Sequence, residues 1–146
     1  MKIKTSNLHK ILVILLHSFI FVGAGHGIGF LIFFDLIGIP ALFSGTVDFN
    51  LNANYEDRIP LVALISSLGK IFLIVSIFLR PHKMKQVLSI LGLLFLWLAL
   101  YILTSGNWTY NNLFEFSFWS SIPFLVFSVI LAFDMLLAII SSKSKS

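Results

Sequence analysis

The apolar residues of this chain fall into four long segments, and the polar residues lie mostly in the gaps between them. The segments cover residues 11–34, 60–79, 87–103 and 116–140. Each is close to the roughly 20 residues that an α-helix needs to cross the hydrocarbon core of a bilayer. The pattern therefore predicts an all-α fold, an integral membrane four-helix bundle.

Composition and length favour one membrane-embedded domain. Of the 146 residues, 58% are hydrophobic and 11% are charged, and the mean hydropathy is +1.01. A small soluble core could not bury so much apolar surface. The four spans leave no room for a separate soluble domain, so we predict a single four-span domain over residues 1–146.

The basic residues are confined to every second gap, and this asymmetry predicts the orientation. Eight of the ten Lys and Arg residues precede the first span, separate the second from the third, or follow the fourth: Lys2, Lys4, Lys10, Arg80, Lys83, Lys85, Lys143 and Lys145. In the opposite gaps Arg58 is the one basic residue. The positive-inside rule then predicts that both termini are cytoplasmic. The net charge of +4 is a topology signature with some attraction to anionic lipid, and we predict no nucleic-acid partner.

The most unusual local sequence lies near the end of the first span. Four glycines alternate there with other residues: Gly23, Gly25, Gly27 and Gly29. On a helix they form two overlapping small-xxx-small pairs on nearly opposite faces, which predicts close helix packing on both sides. His26 lies near one of these faces. It is either a structural residue that hydrogen-bonds across the bundle or, together with Asp35, a candidate ligand or proton site.

Ionisable residues also occur inside the predicted spans. Counting ~1.5 Å per residue from the basic side, Lys70, Asp134 and His17 lie ~10–15 Å deep and could form one polar cluster. A lone charge at such a depth costs ~2.5–3.5 kcal/mol on insertion scales, so we predict that Lys70 pairs with Asp134. The cluster could relay protons or meet a charged substrate, or the pair could only fix helix register; the residues alone leave both interpretations open.

Catalytic constellations are harder to find. The chain has no cysteine, and its four histidines all lie in the first span, its approach or the basic turn before the third span. No Walker loop, nucleotide fingerprint or metalloprotease motif occurs in the sequence. We therefore predict no catalytic residues, no metal site and no obligatory cofactor, with a bound quinone or lipid as an open alternative.

Three short sequences stand out along the chain: the glycine-rich end of the first span, Leu36-Ile37-Gly38-Ile39-Pro40 in the loop that follows, and Ser67-Leu68-Gly69-Lys70-Ile71 in the second span. In these sequences and in their order, the chain resembles the DoxX-like family of small four-span bacterial membrane proteins. That family often has an acidic residue where this chain has Lys70. Since some members are small subunits of quinone-linked oxidoreductases, the resemblance implies a redox-linked role.

Together these observations favour a non-catalytic accessory or scaffold subunit of a membrane complex in a bacterial inner membrane. Its expected partners are membrane lipids and either another membrane subunit or a second copy of the chain. One alternative is a small homo-oligomeric transporter or channel whose path is lined by Lys70, Asp134, His17 and His26. Another is a membrane enzyme that acts on lipid or quinone near His26 and Asp35.

Overall fold

The computed structural model of the chain describes residues 5–24, 27–45, 49–50, 53–80 and 82–143. Over these residues the protein is mostly helical, with one two-stranded hairpin near the N-terminus. The elements in chain order are α1 (Thr5–Ser18), β1 (Phe21–Ala24), β2 (Gly27–Phe30), α2 (Leu31–Ser44), α3 (Tyr55–Phe78), α4 (His82–Thr104) and α5 (Asn112–Lys143).

The last three predicted spans are present as helices. Among the described residues, three helical stretches are long and apolar enough to cross a membrane: Tyr55–Phe78, Lys83–Thr104 and Asn112–Ser141. Each begins four or five residues before its predicted span, because polar and charged residues are accommodated in the first turn. Glu56 and Asp57 lie in the first turn of α3, where carboxylates are favoured by the helix dipole. The prediction of a mostly helical protein with helices long and apolar enough to span a membrane is confirmed.

The prediction of one continuous helix over residues 11–34 is wrong. Helix α1 ends at Ser18, and the chain then forms the antiparallel hairpin of β1 and β2 before α2 begins at Leu31. Each glycine costs a helix interior about 1 kcal/mol relative to alanine, whereas the intervening Phe21, Val22, Ile28 and Phe30 are good strand formers. The loop predicted over residues 36–40 is likewise helical, as part of α2.

Three of the four alternating glycines belong to the hairpin and not to a helix face. Gly23 is opposite Ile28, Gly29 is opposite Val22 and Gly27 is opposite Ala24. The predicted helix-packing role of these glycines is therefore wrong, and Gly25 lies outside the described residues. Gly23 instead lets β1 approach α5, since a Cβ atom at this position would lie 2.5 Å from the Leu113 side chain.

Side chains from two helices supply hydrogen bonds to the free edge of β1. The Phe21 N–H donates to Ser120 Oγ at 3.1 Å, and Ser117 Oγ donates to the Phe21 carbonyl at 2.9 Å. The Gly23 N–H donates to the Tyr55 hydroxyl at 3.3 Å. Non-helical backbone in a membrane protein needs such partners, because lipid offers none. Two serines and a tyrosine thus take the place of a third strand.

Helix α3 is the centre of the fold, packed against α4, α2 and α1, while α1 also packs against α5. The closest approach of two helices is between α3 and α4. A Cβ atom on Gly69 would lie 3.0 Å from the Gly92 carbonyl oxygen, and one on Gly92 would lie 2.9 Å from that of Gly69. These two glycines make the small-residue helix contact that membrane helices favour.

Side-chain hydrogen bonds define two ends of the bundle. At one end, which we call the lysine end, Lys10 of α1 reaches Ser76 of α3, and Lys85 of α4 reaches Asn7 of α1. At the other, the hairpin end, Tyr55 at the start of α3 meets β1 and α5. Helix α1 and β1 together therefore run alongside nearly the whole length of α3.

Candidate functional site

Five polar residues gather in the interior where α1 ends and α2 begins, and we call them the central cluster: His17, Asp35, Ser66, Ser67 and Lys70. They come from α1, α2 and α3. His17 and Ser66 are fully buried, and Lys70 is 8% exposed. Such residues are costly in an apolar interior, so their partners decide what they can do.

The ion pair in this cluster joins α3 to α2. Lys70 Nζ donates a short hydrogen bond to Asp35 Oδ2. The Asp35 main-chain carbonyl accepts a second bond from Ser67 Oγ at 2.8 Å. Within the described part of the chain, Asp35 Oδ1 is buried without a hydrogen-bond partner. Asp35 is therefore held at two points, and one of its carboxylate oxygens is left over.

The predicted pairing of Lys70 with Asp134 is wrong. Asp134 Oδ2 accepts a hydrogen bond of 2.5 Å from Nδ1 of His9, which places it at the lysine end and joins α5 to α1. Of the predicted cluster of Lys70, Asp134 and His17, the structure brings Lys70 and His17 together and leaves Asp134 out. The sequence analysis predicted that Asp35 lies in a loop. For that reason it did not consider the Asp35 carboxylate as the partner of Lys70.

His17 contacts three different helices. Its Nδ1 lies 3.4 Å from Ser66 Oγ on α3, and its Nε2 lies 3.3 Å from the Leu96 carbonyl oxygen on α4. Because a carbonyl can only accept, Nε2 carries the proton in that contact. The ring also packs edge-to-face on Phe124 of α5, with 4.7 Å between centroids. His17 thus connects α1 to all three membrane-spanning helices.

A second set of buried polar residues lies at the hairpin end. The Tyr55 hydroxyl and Ser117 Oγ are 2.6 Å apart, which links α3 to α5. Arg58 donates to the main-chain carbonyls of Ala53 at 2.8 Å and Ile102 at 3.3 Å, and its guanidinium lies 5.2 Å from the centre of the Phe114 ring. The sequence analysis considered Arg58 only as a charged loop residue and did not identify Tyr55 as a buried polar residue. The serines among the apolar residues of α5 were the feature that could have indicated buried hydrogen bonds here.

The candidate ligand or proton site of His26 and Asp35 is only partly visible. His26 lies outside the described residues, and Asp35 faces Lys70. In the described ranges no three His, Asp or Glu side chains come together as metal ligands.

Chemically, the central cluster offers an amine and a carboxylate in direct contact, with an imidazole close by. Such a group can hold or pass a proton, and it can also fix the positions of helices. Each of its members bonds to an element other than its own, so the positional role is built into the geometry. Comparisons with protein-family models, curated proteins and solved structures gave no match.

Proposed function

We propose that this protein is a non-catalytic integral membrane protein that serves as an accessory or scaffold subunit of a membrane complex. Support comes from the buried polar residues, which act as clamps between elements. The Lys70–Asp35 pair joins α3 to α2, His17 joins α1 to α3 and α4, and Tyr55 joins α3 to α5. A bundle fixed at so many points holds its outer surface in one shape.

The observation that carries the proposal is an exposed apolar face on α5, which we call the α5 stripe: Trp119, Ile122, Val126, Val129, Ile130, Phe133, Leu137 and Ile140. At ~100° per residue, all of them fall within an arc of about 100° on one side of the helix. Only 22% of the most apolar part of α5 is buried, against 56% in α3. We infer that a helix of another subunit, or of a second copy, packs on the α5 stripe.

The proposal includes the topology. The path of α1 and β1 alongside α3 supports a fourth, broken crossing, which completes a four-span bundle. From the positive-inside rule we infer that the lysine end faces the cytoplasm, and with it both termini. The membrane that we propose is a bacterial inner membrane. The resemblance to the DoxX-like family supports a redox-linked complex.

Native mass spectrometry of the protein, gently extracted from its own membrane, tests this function. We expect a stoichiometric partner with wild-type protein and its loss with Val129→Trp, because a packed helix interface does not accept the added volume whereas fluid lipid does. Val75→Trp is the matched control, since Val75 is 41% exposed on α3 and Val129 is 50% exposed on α5. A lone monomer in every sample, or equal partner loss with both variants, would contradict the proposal.

A small transporter is a second candidate, and the broken first segment favours it. Discontinuous helices at mid-membrane commonly form substrate and ion sites, and here α1 ends and α2 begins beside the Lys70–Asp35 pair. This candidate requires uptake or proton flux in liposomes that contain only this protein, lost in Lys70→Met. If such liposomes show no uptake or proton flux and a partner co-purifies with the protein, the result would favour the accessory function over the transporter.

A further inference from the structure

A polar pocket lies at the lysine end between α1, α4 and α5, with a volume of about 190 Å³. We call it the lysine pocket, after Lys10 and Lys85 in its lining. Gln86 and Ser89 of α4 also line it. With Ser6, Asn7 and Asp134, the lining contains two cationic, one anionic and four neutral hydrogen-bonding residues.

Among the described residues, the two lysines have no anionic partner. Lys10, only 2% exposed, donates to Ser76 Oγ at 2.9 Å, and Lys85 donates to the Asn7 side-chain oxygen at 2.9 Å. Neither forms a salt bridge with any residue that the structure describes. The nearby carboxylate of Asp134 also lines the pocket, but His9 engages it. Two cations in a partly buried pocket with neutral partners favour the binding of an anion.

Gln86 adds a free hydrogen-bond donor. Its side-chain nitrogen is buried and has no partner among the described residues. Buried donors are nearly always satisfied in folded proteins, so an unpaired one in a pocket lining indicates a missing acceptor. An acceptor that also carries negative charge would satisfy Gln86, Lys10 and Lys85 together.

An apolar groove continues from the lysine pocket along α4 and α5. Met135 lines both the lysine pocket and a second cavity of about 230 Å³, whose lining is apolar and includes Leu93 and Ala132. Trp97 lines that cavity and also a third one of about 200 Å³, which reaches Thr104. The second and third cavities follow α4 from Ile90 to Thr104, a length of ~21 Å, and we call this surface the α4–α5 groove. Trp97 crosses to α5 between the two cavities, where its Nε1 donates to Ser128 Oγ at 2.9 Å, so the open part next to the lysine pocket ends at Trp97.

We propose that the α4–α5 groove binds one anionic phospholipid. Its phosphate lies in the lysine pocket beside Lys10, Lys85 and Gln86, and one acyl chain follows the apolar groove past Met135. A basic pocket joined to an apolar groove at the membrane surface matches the two parts of such a lipid. A zwitterionic choline lipid fits less well, because its ammonium would enter a site that already holds two cations.

Binding of dioleoyl phosphatidylglycerol to the purified, delipidated protein, followed by native mass spectrometry, tests the inference. We expect one bound lipid, with at least about tenfold weaker binding of dioleoyl phosphatidylcholine. Lys85→Gln should weaken phosphatidylglycerol binding by about tenfold, the size of effect expected from losing one charge-assisted hydrogen bond. Lys83→Gln, an exposed neighbour on the same helix, is the matched control and should bind normally.

Two further measurements separate the phosphate site from the groove. Ala132→Trp should fill the groove and displace the lipid, whereas Ile130→Trp, an exposed position about 160° away around α5, should not. Glycerol 3-phosphate, which has no acyl chain, should bind far more weakly than the lipid. Thermal unfolding of each variant without lipid verifies folding. Equal binding of both lipids, normal binding by Lys85→Gln, or glycerol 3-phosphate as tight as the lipid would overturn the inference.

Discussion

Lys70 and Asp35 are 35 positions apart in the chain, yet the ammonium of one donates a hydrogen bond to the carboxylate of the other in the interior of the protein. The contact exists because the first apolar segment is broken, which lets α2 pack against α3. It ties the hairpin region to the most buried helix.

Replacing only one residue of the Lys70–Asp35 pair should destabilise the protein more than replacing both. Removal of one partner leaves a buried uncompensated charge, so we expect Lys70→Met or Asp35→Leu alone to cost about 3–5 kcal/mol of unfolding free energy. The double replacement should cost less than the worse single one. Denaturant unfolding in detergent micelles measures this cycle. Lys70→Met with Asp134→Asn is the control, and its two effects should simply add; strong coupling there would instead support the Lys70–Asp134 pair.

The edge of β1 should depend on Ser117. We expect Ser117→Ala to cost about 1–3 kcal/mol, because the Phe21 carbonyl and the Tyr55 hydroxyl both lose a partner. Amide hydrogen exchange of residues 21–24 should rise at the same time. Ser121→Ala is the matched control, since Ser121 is also buried on α5 but its hydroxyl donates within its own helix, to Phe118. Equal effects of the two substitutions would contradict the role given to Ser117.

The glycines that matter for helix packing should be Gly69 and Gly92. Gly92→Ala places a methyl group 2.9 Å from the Gly69 carbonyl oxygen, and such overpacking typically costs about 1–3 kcal/mol. Gly27→Ala meets nothing within 4 Å and should be nearly neutral. Thermal unfolding of the two variants compares them directly. If Gly27→Ala were the more damaging, residues 23–29 would have to pack as a helix after all.

Arg58 should tolerate no conservative replacement. Its guanidinium reaches the Ile102 carbonyl and Ser105 Oγ at 3.3 Å each and also lies against Phe114. Lysine keeps the charge but not the planar fork, so Arg58→Lys should cost about 1–3 kcal/mol. Arg80→Lys, at an exposed position after α3, should change little. A stability of Arg58→Lys equal to that of the wild type would show that the three contacts contribute nothing.

The three long spans could be predicted from the sequence because twenty apolar residues in a row have few other stable arrangements. The first segment could not, since the same apolar run fits a helix and a hairpin. The two are distinguished by the cost of glycines such as Gly23 and Gly29 in a helix interior, but the helical spacing of the same glycines seemed equally meaningful. The partner of Lys70 could not be predicted either, because Asp35 reaches it through the packing of α2 against α3. The spacing of residues along the chain does not determine such a tertiary contact. His17 and Lys70, which the sequence put at a similar depth, both lie in the central cluster, where His17 contacts Ser66 and Lys70 contacts Asp35.

The serines that bond the edge of β1 are synthesised much later than β1 itself, which affects the order of folding. Ser117 and Ser120 follow Phe21 by 96 and 99 positions, so they are made long after the hairpin sequence has left the ribosome. Chains generally fold from the N-terminus as they are synthesised. Here the first segment cannot reach its final hydrogen bonding until α5 has entered the membrane, and a chain truncated before α5 is left with an incomplete hairpin edge.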